Sequence, residues 1–230
     1  MEEIIVLDLK FKFGQMEDVI HPVILKDASN MVLIDCGYNG FLPILEQAME
    51  EKKLVCGELT HVVITHHDHD HMGALSELKQ KYPKIQVVAS EKESPYISGI
   101  LKPLRLEQAE EIQPNLPEDQ KEFGLAFCNI LKNLRPVEVD TEVRDGEVFN
   151  WCGGCTIIGT PGHTPGHISI YANQKKTIIT GDAAALENGE LVVANPQFTL
   201  DIKEANKSLS KIINYGAKEI ICYHGGKLIR

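Results

Sequence analysis

The chain has 230 residues, 43% hydrophobic and 24% charged, with a formal net charge of −10. That length suffices for a large core, and the composition is that of a globular protein rather than a disordered or fibrous one. The acidic balance, with scattered lysines and no basic block, argues against a nucleic-acid backbone or an anionic membrane as partner. No apolar run approaches the ~20 residues that span a bilayer.

The N-terminus, Met1-Glu2-Glu3-Ile4-Ile5-Val6, begins acidic and passes directly into strand-forming residues. A signal peptide begins basic and continues through a longer apolar stretch, so a cytoplasmic protein is expected. The six cysteines (Cys36, Cys56, Cys128, Cys152, Cys155, Cys222) are expected to be mostly free thiols. No repeat at solenoid periods is evident.

In chain order, residues 4–13, 19–25 and 31–34 read as strands, the last two separated by the polar turn Lys26-Asp27-Ala28-Ser29-Asn30. Residues 40–53 read as a helix, with Leu42, Ile44, Leu45, Ala48 and Met49 at helical spacing. A short buried-strand pattern at 61–65 ends in the run Thr65-His66-His67-Asp68-His69-Asp70-His71. A helix over 73–81 and a strand over 85–89 follow, and such strand–loop–helix units place polar residues where α/β proteins build sites. The segment 98–135 differs: a short helix over 106–112, then Pro117 at a helix start with Phe123, Phe127, Ile130, Leu131 and Leu134 at helical spacing. It reads as a helical insertion that covers something, a wall of a substrate pocket if the chain is an enzyme, or equally as a helical pair packed on the core. Strand patterns return from Val137, with 148–151 and 156–158 flanking the hairpin signal Gly153-Gly154. Further strands are predicted over 168–171, 177–180 and 219–223, with an amphipathic helix over 201–215.

Seven of the nine histidines fall in three clusters: His66, His67, His69 and His71, then His163 and His167, then His224. Each cluster follows a predicted strand and precedes a glycine. Core histidines scattered at random do not group this way. Imidazoles mixed with carboxylates suit Zn, Fe or Mn. His66 and Asp68 are spaced to converge on one point, and Asp70 and His71 on an adjacent one. His167 is read as a group that orients its neighbours rather than a ligand, His67 and His69 as facing away from the metals in an orienting or surface role, and His21 and His61 as ordinary histidines. Cys152-Gly153-Gly154-Cys155 has a Cys-x-x-Cys spacing but lies between two strand patterns, so a structural role is favoured over a redox one.

The order Thr-His-x-x-x-Asp-His-x-Gly after a strand, then Thr160-Pro161-Gly162-His163-Thr164-Pro165-Gly166-His167, then Thr180-Gly181-Asp182, then His224-Gly225 resembles the metallo-β-lactamase fold superfamily, and within it the glyoxalase II-like and lactone hydrolase branch. The resemblance covers nearly the whole chain. It implies an α+β fold, an αββα four-layer sandwich of mixed sheets, as one hydrolase domain over 1–230 that includes the 98–135 insertion. It also implies two divalent metal ions, with Zn the usual choice. His66, Asp68 and His163 would hold one, Asp70, His71 and His224 the other, and Asp182 would bridge. Asp70 would also help orient a metal-bridged hydroxide that attacks an ester, thioester or lactone. Asp35, in an Asp-x-Gly after a strand, would order the ligand loop. A small-molecule phosphodiesterase and a non-hydrolytic metal-binding or redox protein are the alternatives. The expected partner is a small-molecule substrate, and a homo-oligomer is compatible with the sequence.

Position 68 departs from the family pattern, which usually has His there. Thr65 on one side and Asp70-His71-Met72-Gly73 on the other fix the register, so Asp68 replaces that His. By formal count, a third carboxylate beside two divalent cations, two other carboxylates and a hydroxide gives a neutral centre. A harder, more neutral centre is expected to shift preference from Zn toward Mn or Fe.

Overall fold

The computed structural model describes residues 2–14 and 16–230. The chain runs β1 (Glu3–Val6), β2 (Leu9–Phe13), β3 (Met16–Ile20), β4 (Val23–Lys26), β5 (Met31–Ile34), α1 (Leu42–Glu51), β6 (His61–Ile64), α2 (His69–Met72), α3 (Leu75–Lys81), β7 (Gln86–Ser90) and α4 (Ser94–Ile97). It continues through α5 (Leu104–Ile112), α6 (Lys121–Lys132), β8 (Thr141–Val143), β9 (Val148–Phe149), β10 (Cys155–Gly159), β11 (Ile168–Ala172) and β12 (Thr177–Ile179). The last elements are β13 (Ala185–Glu187), β14 (Glu190–Val192), α7 (Ile202–Asn214), β15 (Glu219–Cys222) and β16 (Gly226–Ile229).

Two six-stranded sheets form, in the orders β1-β4-β5-β6-β7-β8 and β16-β15-β12-β11-β10-β9. Side-chain alternation shows how they stack. In β5, Val32 and Ile34 point into a core shared with Ile157, Ile170, Ile179 and Ile221 of the other sheet, while Leu33 points to a core shared with Leu45 and Met49 of α1 and Leu75 and Leu78 of α3. In β15, Ile221 faces the inter-sheet core, and Ile220 and Cys222 face Ile212 of α7. Three apolar layers thus separate four structural layers, and strands covered on both faces read as continuous apolar runs. This is the expected αββα sandwich of mixed sheets.

Several boundaries differ from the sequence reading. The predicted strand 4–13 is two strands, and so is 19–25. β1 and β4 pair in the first sheet, whereas β2 and β3 form a separate hairpin. The break comes at Leu7-Asp8 and at His21-Pro22, where Leu7 N donates to Pro22 O at 2.9 Å. A proline has no N–H to continue a ladder. Strand β16 follows His224, and β13–β14 form a hairpin around Asn188-Gly189; neither was anticipated. At the Gly153-Gly154 signal, β9 and β10 do pair antiparallel, but a 3-10 turn over Trp151–Gly153 intervenes and carries Cys152 at φ 48°. The two thiols donate to different carbonyls, Cys152 to Glu3 O and Cys155 to Trp151 O, and both are free and buried.

Topology places the clustered residues together. Strands β5, β6 and β7 are parallel, so Asp35 and Thr65–His71 leave the same sheet edge. In the second sheet β12 and β15 are parallel, and β11 is antiparallel to both β10 and β12. The loop between β10 and β11, the end of β12 and the end of β15 therefore emerge at one edge. Ile168 N donates to Thr65 O at 3.1 Å and ties the two sheets there. Among the described residues no helix is long and apolar enough to cross a membrane.

Candidate metal centre

The His/Asp run changes conformation midway. Asp68 is extended (φ −71°, ψ 150°), and His69–Met72 form one helical turn. The change sends His66 and Asp68 to one point and Asp70 and His71 to the next. Three sets of side chains have donor atoms close enough to share a cation: His66, Asp68 and His163; His66, His71 and Asp182; and Asp70, His71 and His224. These are the seven residues anticipated from the sequence, and all except the partly buried His224 are buried.

Outer partners orient the imidazoles. Asp35, 1% exposed and at φ 59°, accepts from Thr65 N (2.8 Å), Thr65 Oγ1 (2.8 Å) and His71 Nδ1 (2.8 Å). Because Thr65 Oγ1 donates to Asp35, it accepts from His66 Nδ1 at 3.1 Å. Thr199 Oγ1 donates to Ala194 O and accepts from His163 Nδ1 at 3.4 Å. Each of these three rings therefore carries its proton on Nδ1 and turns a bare Nε2 inward, an assignment that follows from the hydrogen-bond network. His167 takes the orienting role expected of it. Its Nε2 accepts from Asp182 N at 2.9 Å and its Nδ1 donates to Thr160 Oγ1 at 2.9 Å, which fixes the turn carrying Asp182. Gly181 in that turn has φ 53°, and a Cβ there would lie 2.8 Å from both His167 Nε2 and Thr65 Oγ1.

The inward-facing atoms make a shell of acceptors. His71 Nε2 lies 3.2 Å and His224 Nε2 3.5 Å from Asp182 Oδ1, and His163 Nε2 lies 3.6 Å from Asp182 Oδ2. Asp70 Oδ2 is 3.3 Å from His224 Nε2 and 3.7 Å from His71 Nε2, and Asp68 Oδ2 is 3.0 Å from His163 Nε2 and 3.6 Å from His66 Nε2. The Nε2 atoms of His66, His71 and His224, together with Asp68 Oδ1 and Asp182 Oδ1, are buried without a hydrogen-bond partner. Buried acceptors facing one another repel unless a cation lies between them. Ligands held about 2.0–2.2 Å from a tetrahedral cation sit roughly 3.3–3.6 Å apart, the spacing seen here. The residues fit divalent cations.

Electrostatics agree. Burial opposes charge on Asp68, Asp70 and Asp182, yet Arg105 beside Asp68 and the imidazoles of His71 and His224 beside Asp70 and Asp182 outweigh it and hold all three carboxyls below the ordinary range. Burial likewise opposes charge on His71, but Asp182, Asp35 and Asp70 raise it well above the usual histidine value. Carboxylates that favour a proton on imidazole favour a divalent cation in the same place. Burial, followed by the neighbouring His66 and His163, keeps His167 neutral.

Three participants were not anticipated. Arg105, on α5 and 3% exposed, donates from Nη2 (2.6 Å) and Nε (3.2 Å) to Asp68 Oδ2. Its charge offsets the third carboxylate and returns the formal sum to positive, so the neutral centre counted from the motif alone is corrected and the charge argument for Mn or Fe over Zn falls away. Glu93, fully buried, accepts from His67 N (3.0 Å) and His67 Nδ1 on one oxygen, and from Thr164 Oγ1 (2.8 Å) and Gly166 N (2.8 Å) on the other. It joins the two histidine loops and gives His67 its inward, non-ligand role. Tyr223 donates to Asp70 O at 2.6 Å from beneath the centre. None of the three has a local signal, because each partner lies 26 or more residues away. The insertion does border the centre: Phe127 of α6 meets the His69 ring edge-on at 5.4 Å, opposite Tyr38 at 5.3 Å.

Comparison with known proteins is consistent with this geometry. The chain is 24% identical to the probable metallo-hydrolase YflN of Bacillus subtilis, over 92% of this chain and 81% of that one. It is 29% identical to the hydroxyacylglutathione hydrolase GloC of Haemophilus influenzae, over 70% of this chain and 64% of that protein. A metallo-beta-lactamase family protein of Thermus thermophilus shares the fold, with a TM-score of 0.74 at 20% identity over 98% of this chain and 74% of that one. The family model of the Metallo-beta-lactamase superfamily matches residues 21–224, a span that contains every residue of the centre, and the chain belongs to that superfamily.

Proposed function

We propose that this chain is a dinuclear metal-dependent hydrolase acting on a small ester, thioester or lactone, with a thioester favoured. The observation that carries the reading is the position of Asp182. Its two oxygens face different histidine sets, Oδ1 toward His71 and His224 and Oδ2 toward His163, as a bridging carboxylate requires. His66, Asp68 and His163 would hold one cation and Asp70, His71 and His224 the other. Two bound divalent cations supply an acidified water near neutral pH and polarise the carbonyl under attack.

The protein's own groups prepare that chemistry. Asp35 and Thr65 fix the imidazole tautomers so that lone pairs, not protons, face the cations. Asp70 lies at the centre's partly exposed side next to His224 and is placed to orient the attacking water and take its proton. A cavity of about 330 Å³ opens beside His69, lined by Phe11, Tyr38, Phe41, Ile130 and Leu134, and its apolar wall suits an acyl group. The thioester preference rests on the hydroxyacylglutathione hydrolases among the relatives.

The test is a panel of thioesters, lactones and phosphodiesters assayed with Zn, Mn and Fe. Thioester, ester or lactone turnover should be abolished by a chelator and restored by metal. Asp182→Asn should lower kcat on the order of 100-fold or more, the scale of several kcal/mol of lost transition-state stabilisation. Turnover that survives chelation, or that is confined to phosphodiesters, would overturn the reading.

A further inference from the structure

The two candidate metal positions are each built from two imidazoles and one carboxylate, and Asp182 lies near histidines of both. They differ in one respect. Around Asp70, His71 and His224, the ion pairs among the described residues involve only histidines and carboxylates. Around His66, Asp68 and His163 there is also a guanidinium. Arg105 Nη2 lies 2.6 Å from Asp68 Oδ2 and 3.4 Å from His163 Nε2. It cannot swing away cheaply, because Nη1 donates to Gln108 Oε1 (2.5 Å) and to Phe198 O, and Cζ sits 5.2 Å over the Phe198 ring. At 3% exposure, little water screens it.

We propose that Arg105 makes the centre load in two unequal steps: the Asp70/His71/His224 position fills first, and the His66/Asp68/His163 position fills later and more weakly. The cause is electrostatic. Asp68 with Arg105 presents no net charge to an incoming cation, whereas Asp70 presents a full negative charge. Attraction to a divalent ion in a buried site scales directly with that difference. Both Arg105 hydrogen bonds fall on Asp68 Oδ2, which leaves Oδ1, buried and without a partner, as the oxygen free for a metal. Arg105 is a positioning residue in this scheme; it tunes Asp68 and is not itself assigned to the reacting atoms. The inference rests on the metal-centre reading above but not on turnover.

The experiment titrates metal-free, full-length protein with Co²⁺ and with Zn²⁺, followed by calorimetry, native mass spectrometry and the Co²⁺ visible spectrum. Wild type should bind two ions with dissociation constants at least about tenfold apart. His224→Ala should remove the tight step and His163→Ala the weak one. Arg105→Met should tighten the weak step and narrow the gap at least about tenfold, while Arg105→Lys should keep it. Two equal steps in wild type, or loss of the tight step in His163→Ala, would overturn the proposal, and neither measurement depends on how the Arg105 variants fold. A folded Arg105→Met protein with an unchanged gap would also overturn it. No metal uptake at all would sink both this proposal and the hydrolase reading. Unequal uptake without hydrolysis would uphold this one and sink only the other.

Discussion

Glu93 offers the sharpest test of how the two histidine loops are held together. Its Oε2 accepts the backbone N–H and ring N–H of His67, and its Oε1 accepts Gly166 N and Thr164 Oγ1. Glu93→Gln keeps the shape and replaces one acceptor oxygen by an NH₂ donor. Whichever way the amide turns, that donor meets a backbone N–H, from His67 or from Gly166, and one buried donor is left unpaired. Together with loss of the charge pair, the cost should be about 3–5 kcal/mol, the scale for removing one partner of a buried ion pair. At about 2–4 °C per kcal/mol for a chain of this size, the melting temperature should fall by roughly 6–20 °C. The pH dependence has a definite sign. Burial opposes the Glu93 charge, but His67 overrides it and lowers the carboxyl below 4.5; that stabilisation is present above pH 4.5 and is lost as pH falls through the lowered value. Burial also opposes charge on His67, but Glu93 overrides it and raises the imidazole above 6.5; that stabilisation is present below pH 6.5 and is lost as pH rises through the raised value. The stability gap between wild type and Glu93→Gln should therefore be widest between pH 4.5 and 6.5. Urea unfolding of both proteins across pH 3.5–8.5 measures it. A gap below about 1 kcal/mol at pH 5.5, or one independent of pH, would refute the reasoning.

Other perturbations separate orientation from packing. Asp35→Asn removes the acceptor that orients His71 and Thr65 and should weaken metal binding by roughly 10–100-fold with little loss of helix content, read by competition with a chelating dye and by circular dichroism. Gly73→Ala would place a Cβ 2.2 Å from Asn39 N and 2.4 Å from His69 O, both backbone atoms that cannot yield cheaply, so a loss of at least about 3 kcal/mol is expected in urea unfolding. The Cys152→Ala/Cys155→Ala double variant should retain hydrolysis, since both thiols are free, buried and bonded only to carbonyls. Loss of turnover in a folded double variant would restore a redox role.

Much of this architecture was legible because its strands follow simple rules. Val32, Leu33 and Ile34 are all buried, two facing one core and one facing another, and so they read as an apolar run rather than an alternating one. The histidine clusters were legible because each closes a strand and the parallel pairs β5–β6 and β12–β15 deliver them to one edge. What escaped was non-local. β1 and β2 read as one strand over 4–13, and β3 and β4 as another over 19–25, since only Leu7-Asp8 and His21-Pro22 mark the changes of partner strand. The β13–β14 hairpin did carry a readable Asn188-Gly189 turn, but its strands are only three residues each and pack little of the core.

Asp68 shows why a motif alone misjudges the electrostatics of a site. Counted within the run 65–71, it adds an uncompensated negative charge. Counted in space, it is half of a buried ion pair whose other half comes from a helix 37 residues later. An unpaired carboxylate so deeply buried costs several kcal/mol, and so does an unpaired guanidinium. Asp68 is tolerable at its position only with Arg105 or a bound cation beside it, and Arg105 only with Asp68. The helix that supplies Arg105 also begins with Leu104 N donating to Nε2 of the neutral His67 ring at 3.2 Å, a bond given up when that ring is protonated, so the same run that gathers the candidate ligands anchors the start of α5. The insertion is therefore more than a wall beside the centre: it delivers the guanidinium that pairs with the buried Asp68 carboxylate.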